Sequence, residues 1–234
     1  MNRTVMLAVI LGFGFIFYET EPVSTGVRVE RNPHVYRMWK DANFPVSKSK
    51  WEAVGFTVYD FNHSTAYKLV KSKGYDRVWN RLPHYSSKSD LFRYVVIFTY
   101  GGWYADADVE PQDGLELLGK TRETVFFNEA CGSLGLNKLK YRLGLSTITH
   151  SPQYKGCLFS LPQKSPVLKF ALEKIIHSSR IPQPWSVPQV IDYTGPGLLT
   201  DAVEARQNIE EATLIGCKDQ EAYFYHKGMR TWHK

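Results

Sequence analysis

Cysteine is scarce in this chain of 234 residues: Cys131, Cys157 and Cys217 leave room for at most one internal disulfide, and none has the CxxC spacing of a zinc site. A disulfide-stapled scaffold is excluded, and at this length staples are not needed. No internal repeat or low-complexity stretch interrupts the sequence, which excludes solenoid, collagen-like and disordered classes. Acid is also in short supply: 23 Asp and Glu stand against 29 Lys and Arg, a formal charge of +6. That excess favours anionic ligands, but the basic residues are scattered, which argues against nucleic acid as a partner. Finally, no apolar run reaches the roughly 20 residues that cross a bilayer comfortably. The longest, Val5 to Tyr18, follows Arg3 and precedes Glu19. It reads as a short signal anchor with a cytoplasmic amino terminus, against the alternatives of a cleaved signal peptide or a buried strand. An anchor puts the body on the lumenal side, where the sequon Asn62-His63-Ser64 is available to a glycan; without it the chain is soluble and cytoplasmic.

What is present is an alternation of strand and helix patterns after a stem ending near residue 30. His34 to Trp39 and Phe56 to Phe61 carry the aromatic and β-branched residues that strands favour. Ser64 to Lys73 has helical spacing with Gly74 as its stop, and Lys40 to Lys50 reads as a polar connection. Between Ser87 and Tyr100, Leu91, Tyr94, Val95 and Phe98 predict a helix that starts near Ser89 and buries one face. Trp103 to Ala105, Thr124 to Asn128 and Gly156 to Ser160 are strand candidates, and Ser165-Pro166 opens a further helix. Ile181 to Pro188, with its three prolines, reads as a loop, and Thr194-Gly195-Pro196-Gly197 as a turn into a helix over Leu198 to Gln207. No linker divides residues 31–234, so they form one α/β domain with a mixed central sheet and flanking helices.

The informative segment is Ser89 to Glu110, SDLFRYVVIFTYGGWYADADVE. Asp106 and Asp108, two apart, point to opposite faces of an ideal strand and reach one ion only where the strand breaks into a turn. Ala107 is small enough for that turn. Hard oxygen ligands suit Mn²⁺ or Mg²⁺ held against a diphosphate. Alone, an acidic pair of this kind is common on exposed loops. Its context is less common: Asp90 and Arg93 share a face of the preceding helix, and Gly101-Gly102 lets the chain return beneath them.

These residues bring a family into view. The run from Asp90 through Leu91-Phe92-Arg93-Tyr94 to Tyr100-Gly101-Gly102, Tyr104, Asp106 and Asp108 resembles the signature of glycosyltransferases with a DXD sugar-binding region. That group (family 32 type) contains initiating α-1,6-mannosyltransferases and α-1,4-galactosyltransferases. Asn32 to Trp39, Tyr193 to Gly197 with Thr200-Asp201-Ala202, and Tyr225 to Trp232 resemble three further family segments in order. The resemblance implies a GT-A-type fold, a nucleotide-sugar donor, retention at the anomeric carbon, and Mn²⁺ or Mg²⁺. It implies metal contacts from Asp106, Asp108 and His226, and catalytic roles for Asp90, Arg93 and Asp108. Trp39, Asp90, Arg93, Gly102, Tyr104, Asp106 and Trp232 would bind the nucleotide sugar. Asp90 would take the sugar hydroxyls, Trp39 would stack on the base, and Trp232 would close over the phosphates. A glycan, glycolipid or glycoprotein would be the acceptor, bound by later loops including Ile181 to Pro188. GDP-mannose and UDP-galactose are the leading donors. Two rivals use the same residue types: a non-catalytic nucleotide-sugar or sugar-binding module, and a metal-dependent phosphoesterase, which normally needs a second ligand set.

Overall fold

A computed structural model describes residues 33–41, 43–121, 123–129, 153–206 and 212–228. The apolar stretch from Val5 to Tyr18, Cys131 and Trp232 lie outside the described residues. Strands β1 (His34–Met38), β2 (Thr57–Phe61), β3 (Gly102–Asp106), β5 (Val125–Asn128), β6 (Tyr154–Leu161) and β7 (Thr213–Ile215) form a six-stranded sheet in the order β2-β1-β3-β6-β5-β7. β1, β2 and β3 run parallel, β6 lies antiparallel to both β3 and β5, and β7 is parallel to β5. The sheet is therefore mixed, as the alternation of patterns predicts. β4 (Val109–Pro111) and β8 (Phe224–His226) pair as a separate antiparallel ribbon, which the sequence patterns did not reveal because each strand is three residues long.

Alternation along the strands sorts side chains onto two cores. Tyr36, Met38, Tyr104, Phe126 and Phe159 join one buried cluster. Val35, Trp103, Ala105, Val125 and Phe127 join the other. The first is covered by α2 (His63–Ser72), α3 (Asp76–Arg81), α4 (Tyr85–Tyr100), α6 (Pro166–Ser178) and α8 (Pro196–Glu204). The second packs against α1 (Lys48–Ala53), α5 (Gly114–Thr121) and the ribbon, through Trp51, Leu115, Leu118, Val109 and Phe224. Helix α1 corrects the polar connection expected over Lys40 to Lys50: the last three residues of that connection are already helical because Trp51 is buried in the second core. The proline-rich loop likewise ends early, at α7 (Val187–Tyr193), whose amino end is capped by Ser186 and which accepts Pro188 in its first turn.

Helix α4 differs from expectation in two ways. It begins at Tyr85, with the His84 backbone N–H donating to Ser87 Oγ at 3.3 Å. It is also buried on more than one face, since Phe92, Val96 and Ile97 are as inaccessible as Leu91, Tyr94 and Val95. The cause is its position between the sheet and helices α2 and α6, so a single-stripe pattern understates its packing. The chain leaves α4 through Gly101 and Gly102, at φ of 71° and 97°. A Cβ on Gly101 would lie 2.8 Å from the Gln163 nitrogen, so glycine serves both the dihedral and the close approach.

On β1, next to the edge strand β2, Arg37 is wholly buried and donates both Nε and Nη2 to the Asp60 carboxylate, at 2.7 Å each, from directly opposite register positions on the two strands. Its Nη1 donates to the Val46 carbonyl at 2.9 Å, tying the segment before α1 to the sheet. The sequon residue Asn62 caps α2, its Oδ1 accepting from the Thr65 N–H at 2.9 Å. Among the described residues no helix is long and apolar enough to cross a membrane.

Candidate functional site

The order β2-β1-β3 makes the chain reverse its lateral direction at β1, and in open α/β sheets the crevice beyond the carboxyl ends of such strands is where ligands bind. β1 and β3 end together there, Met38 opposite Asp106. Immediately afterwards Ala107 and Asp108 form the turn into β4, so the expected break between the two aspartates is present. Asp106, on the same face as Tyr104, points toward α4. Asp108 is carried onto the ribbon side, where His226 pairs in register with Val109.

Under α4 lies a buried charge cluster. Arg93 Nη2 sits 2.9 Å from Asp90 Oδ1 and 3.3 Å from Asp106 Oδ1, while Nη1 donates to the Gly156 carbonyl at 2.7 Å. The guanidinium lies over the Tyr104 ring, 4.8 Å from its centroid. Burial opposes its charge, but the surrounding Tyr104, Asp90 and Asp106 hold it on. Burial pushes the Asp90 carboxyl up, against the pull of Arg93 and of the Thr194 hydroxyl, which donates to Asp90 Oδ2 at 2.7 Å. Tyr104 Oη donates to Asp106 Oδ1 at 2.8 Å, and burial followed by the Asp106 charge raises the phenol so that it keeps this proton. Asp106 is thus fixed from two sides.

One ligand atom each from Asp106, Asp108 and His226 fall within 4.8 Å of one another. His226 Nε2 lies 3.3 Å from Asp108 Oδ1. Burial works against protonation of this imidazole, but hydrogen bonding to Asp108 and Cys157 pushes it up to about 11. Two carboxylates and an imidazole are a donor set suited to Mn²⁺, with Mg²⁺ satisfied by the oxygens. The residues present therefore fit a divalent ion, whose binding would displace the proton that Asp108 and Cys157 hold on His226.

The cluster opens on a cavity of about 280 Å³, lined by Asp90, Arg93, Asp106 and His226 on one side. Its other walls include His84, Lys155, Cys157, Trp185 and Ile191. Lys155, Gly156 and Cys157 line this space from the part of β6 where its register with β5 is irregular, Phe126 facing Phe159 but Asn128 facing Tyr154.

Of the residues singled out in the sequence, Asp90, Arg93, Asp106, Asp108 and His226 come together. Gly102 does not: it opens β3, four residues and roughly 13 Å of strand from Asp106, and a Cβ there would meet the His34 carbonyl oxygen at 3.0 Å. It serves the turn and not the cavity. Tyr104 is fully buried and touches the site through Asp106 and Arg93. Trp39 is half-buried just past the end of β1, at the same sheet edge as Asp106 but outside the cavity lining. Glu110, the next acid along the chain after Asp108, pairs with Lys50 and Lys227, which hold its carboxyl below the usual range.

Thr194, Lys155, Gly156, Cys157 and Trp185 were not singled out by residue pattern. Thr194 had a signal, since it opens the TGPG segment. Gly156 had none: a Cβ there would sit 2.4 Å from Arg93 Nη1, a constraint visible only once β6 is paired.

Residues 31–125 match the family model described as glycosyltransferase sugar-binding region containing DXD motif. The matched segment is less than half of the chain and contains Asp90, Arg93, Asp106 and Asp108. No curated protein matches the chain. Among solved structures, the PaToxG glycosyltransferase is similar at 13% identity over 76% of this chain and 70% of that one, with a TM-score of 0.44. The UDP-bound glycosyltransferase domain from the YGT toxin is similar at 9% identity, over 73% of this chain and 53% of that one, with a TM-score of 0.35; the chain spans about half of that domain.

Proposed function

We propose that this chain is a metal-dependent, retaining glycosyltransferase that moves a hexose from a nucleotide-diphosphate sugar, of the GDP-mannose or UDP-galactose type, to a glycan or glycoconjugate hydroxyl. The observation that carries the reading is the convergence of Asp106, Asp108 and His226 beside a cavity that Asp90, Arg93, Asp106 and His226 line. The match of residues 31–125 to a DXD-containing sugar-binding region supports it independently.

In this reading Asp106, Asp108 and His226 hold Mn²⁺ or Mg²⁺, which when bound offsets the negative charge of the donor diphosphate. Asp90, oriented through one oxygen by Arg93 and through the other by Thr194, accepts hydrogen bonds from the sugar hydroxyls with its remaining lone pairs. Arg93 fixes Asp90 and Asp106 relative to one another, and a pre-set geometry of this kind lowers the reorganisation needed at the reacting centre. The anomeric C–O bond breaks with its electron pair passing to the phosphate oxygen. On the same sugar face the acceptor hydroxyl oxygen then bonds the anomeric carbon, and its proton passes to that phosphate oxygen. No protein nucleophile is required. Trp185 and Val187, brought to the cavity by the proline-rich segment, supply the acceptor side of the wall. On the same reading the apolar stretch from Val5 to Tyr18 serves as a type II anchor for a lumenal catalytic domain.

The test is hydrolysis of GDP-mannose and UDP-galactose with Mn²⁺ and with EDTA. Metal-dependent release of GDP or UDP is expected, abolished by Asp108→Ala in a protein that still folds. Binding of either nucleotide sugar without any turnover would identify a non-catalytic module instead.

A further inference from the structure

The resemblance implies a catalytic role for Arg93, but the structure shows that guanidinium already committed. Its Nη2 is shared by Asp90 and Asp106 and its Nη1 is given to the Gly156 carbonyl. Its Nε is buried with no partner among the described residues. A divalent ion held by two carboxylates would be formally neutral together with them, so it would offset the charge of a diphosphate only in part. A nucleoside diphosphate leaving group, carrying two or more negative charges, therefore needs positive charge from elsewhere on the wall.

Lys155 is placed to provide it. It lines the cavity, half-buried, and among the described residues its ammonium makes no ion pair. Its ammonium lies near an aromatic face, Nζ 5.8 Å from the centroid of the Phe224 ring. Phe224 and His226 are two apart on β8, so their side chains leave the same face of the ribbon and their backbones are roughly 7 Å apart. A diphosphate held at Asp106, Asp108 and His226 would thus have this ammonium beside it.

Resting on the donor reading above, we infer that Lys155 is a catalytic residue that stabilises the diphosphate as the glycosyl bond breaks. It acts as a fixed positive charge, keeping its own protons throughout; the electron pair of the broken bond goes to the phosphate oxygen, and the proton that oxygen gains comes from the acceptor.

The experiment compares wild type, Lys155→Met, Lys155→Gln and Lys155→Arg, each checked for native circular dichroism. The readouts are Mn²⁺-dependent turnover of GDP-mannose and UDP-galactose, inhibition by GDP and UDP, and Mn²⁺ affinity. Loss of this charge should lower kcat by about 100-fold or more, as removal of one preorganised charge-stabilising donor does. Inhibition by the nucleoside diphosphate should weaken about tenfold, Mn²⁺ affinity should not change, and Arg should restore part of the rate. Folded Met and Gln variants with turnover within about threefold of wild type, or with unaltered GDP and UDP inhibition, would overturn the assignment while leaving the donor reading intact. A wild type without metal-dependent turnover of either nucleotide sugar would overturn both.

Discussion

Replacing Arg93 with Met should destabilise the fold more than replacing its partner Asp90 with Leu, and the double variant should be more stable than Arg93→Met alone. Both residues are buried, at 6% and 5% exposure. Without Arg93, Asp90 keeps only the Thr194 hydroxyl, and Asp106 loses its buried cation. Stranding a buried charge in this way costs about 3–5 kcal/mol. Without Asp90, by contrast, Arg93 retains Asp106 and the Gly156 carbonyl, and the Thr194 hydroxyl still donates to the Val190 carbonyl at 3.0 Å. That variant should cost about 1–3 kcal/mol, the range for losing one charge-assisted hydrogen bond. Removing both charges leaves no stranded carboxylate at position 90, so the cycle should show a favourable coupling of about 2 kcal/mol. Urea unfolding followed in parallel by circular dichroism and tryptophan fluorescence gives the required differences, provided the two transitions coincide and the slope does not change. Additive losses in the double variant would refute the account of Arg93 as a shared buried cation.

Gly156→Ala would put a Cβ 2.4 Å from Arg93 Nη1, so it should cost about 1–3 kcal/mol in thermal unfolding and displace the guanidinium enough to slow donor hydrolysis. An unchanged melting temperature would mean that β6 yields freely there. Gly101→Ala and Gly74→Ala both place alanine at positive φ, but only the first meets a neighbour, the Gln163 nitrogen at 2.8 Å. The first should therefore be the more destabilising in the same melts, and the second should cost only the backbone penalty of about 1–2 kcal/mol. Arg37→Met breaks the bidentate bond to Asp60 between β1 and β2, and should lower stability by about 3–5 kcal/mol in the same melts.

The strands β1, β2, β3 and β5 and the helices α2, α6 and α8 were legible because each combines a periodic apolar pattern with local punctuation such as Gly74 or Ser165-Pro166. The return of the chain under α4 was legible from two adjacent glycines. Elements with no pattern of their own were not: β4 and β8 are held by pairing with each other across more than a hundred residues, and α1 by the burial of Trp51. In the site, residues that bear charge near one another in sequence were found, as Asp90, Arg93, Asp106 and Asp108 were. Residues that serve by contact across the fold left little trace. Thr194 reaches Asp90 over 104 positions, and the value of Gly156 is the absence of an atom. The sequence also misplaced Gly102, because a glycine required by backbone geometry looks the same in one dimension as a glycine that makes room for a ligand.

The central claim, that Asp106, Asp108 and His226 together hold a divalent ion carrying a nucleoside diphosphate, is tested most directly by titrating the protein with Mn²⁺ and following the free ion by electron paramagnetic resonance. One Mn²⁺ should bind per chain, more tightly with GDP or UDP present, and Asp108→Ala should remove that site. Undiminished binding of one Mn²⁺ by the Asp108→Ala variant would contradict it, as would GDP and UDP affinities that are the same in Mn²⁺ and in EDTA.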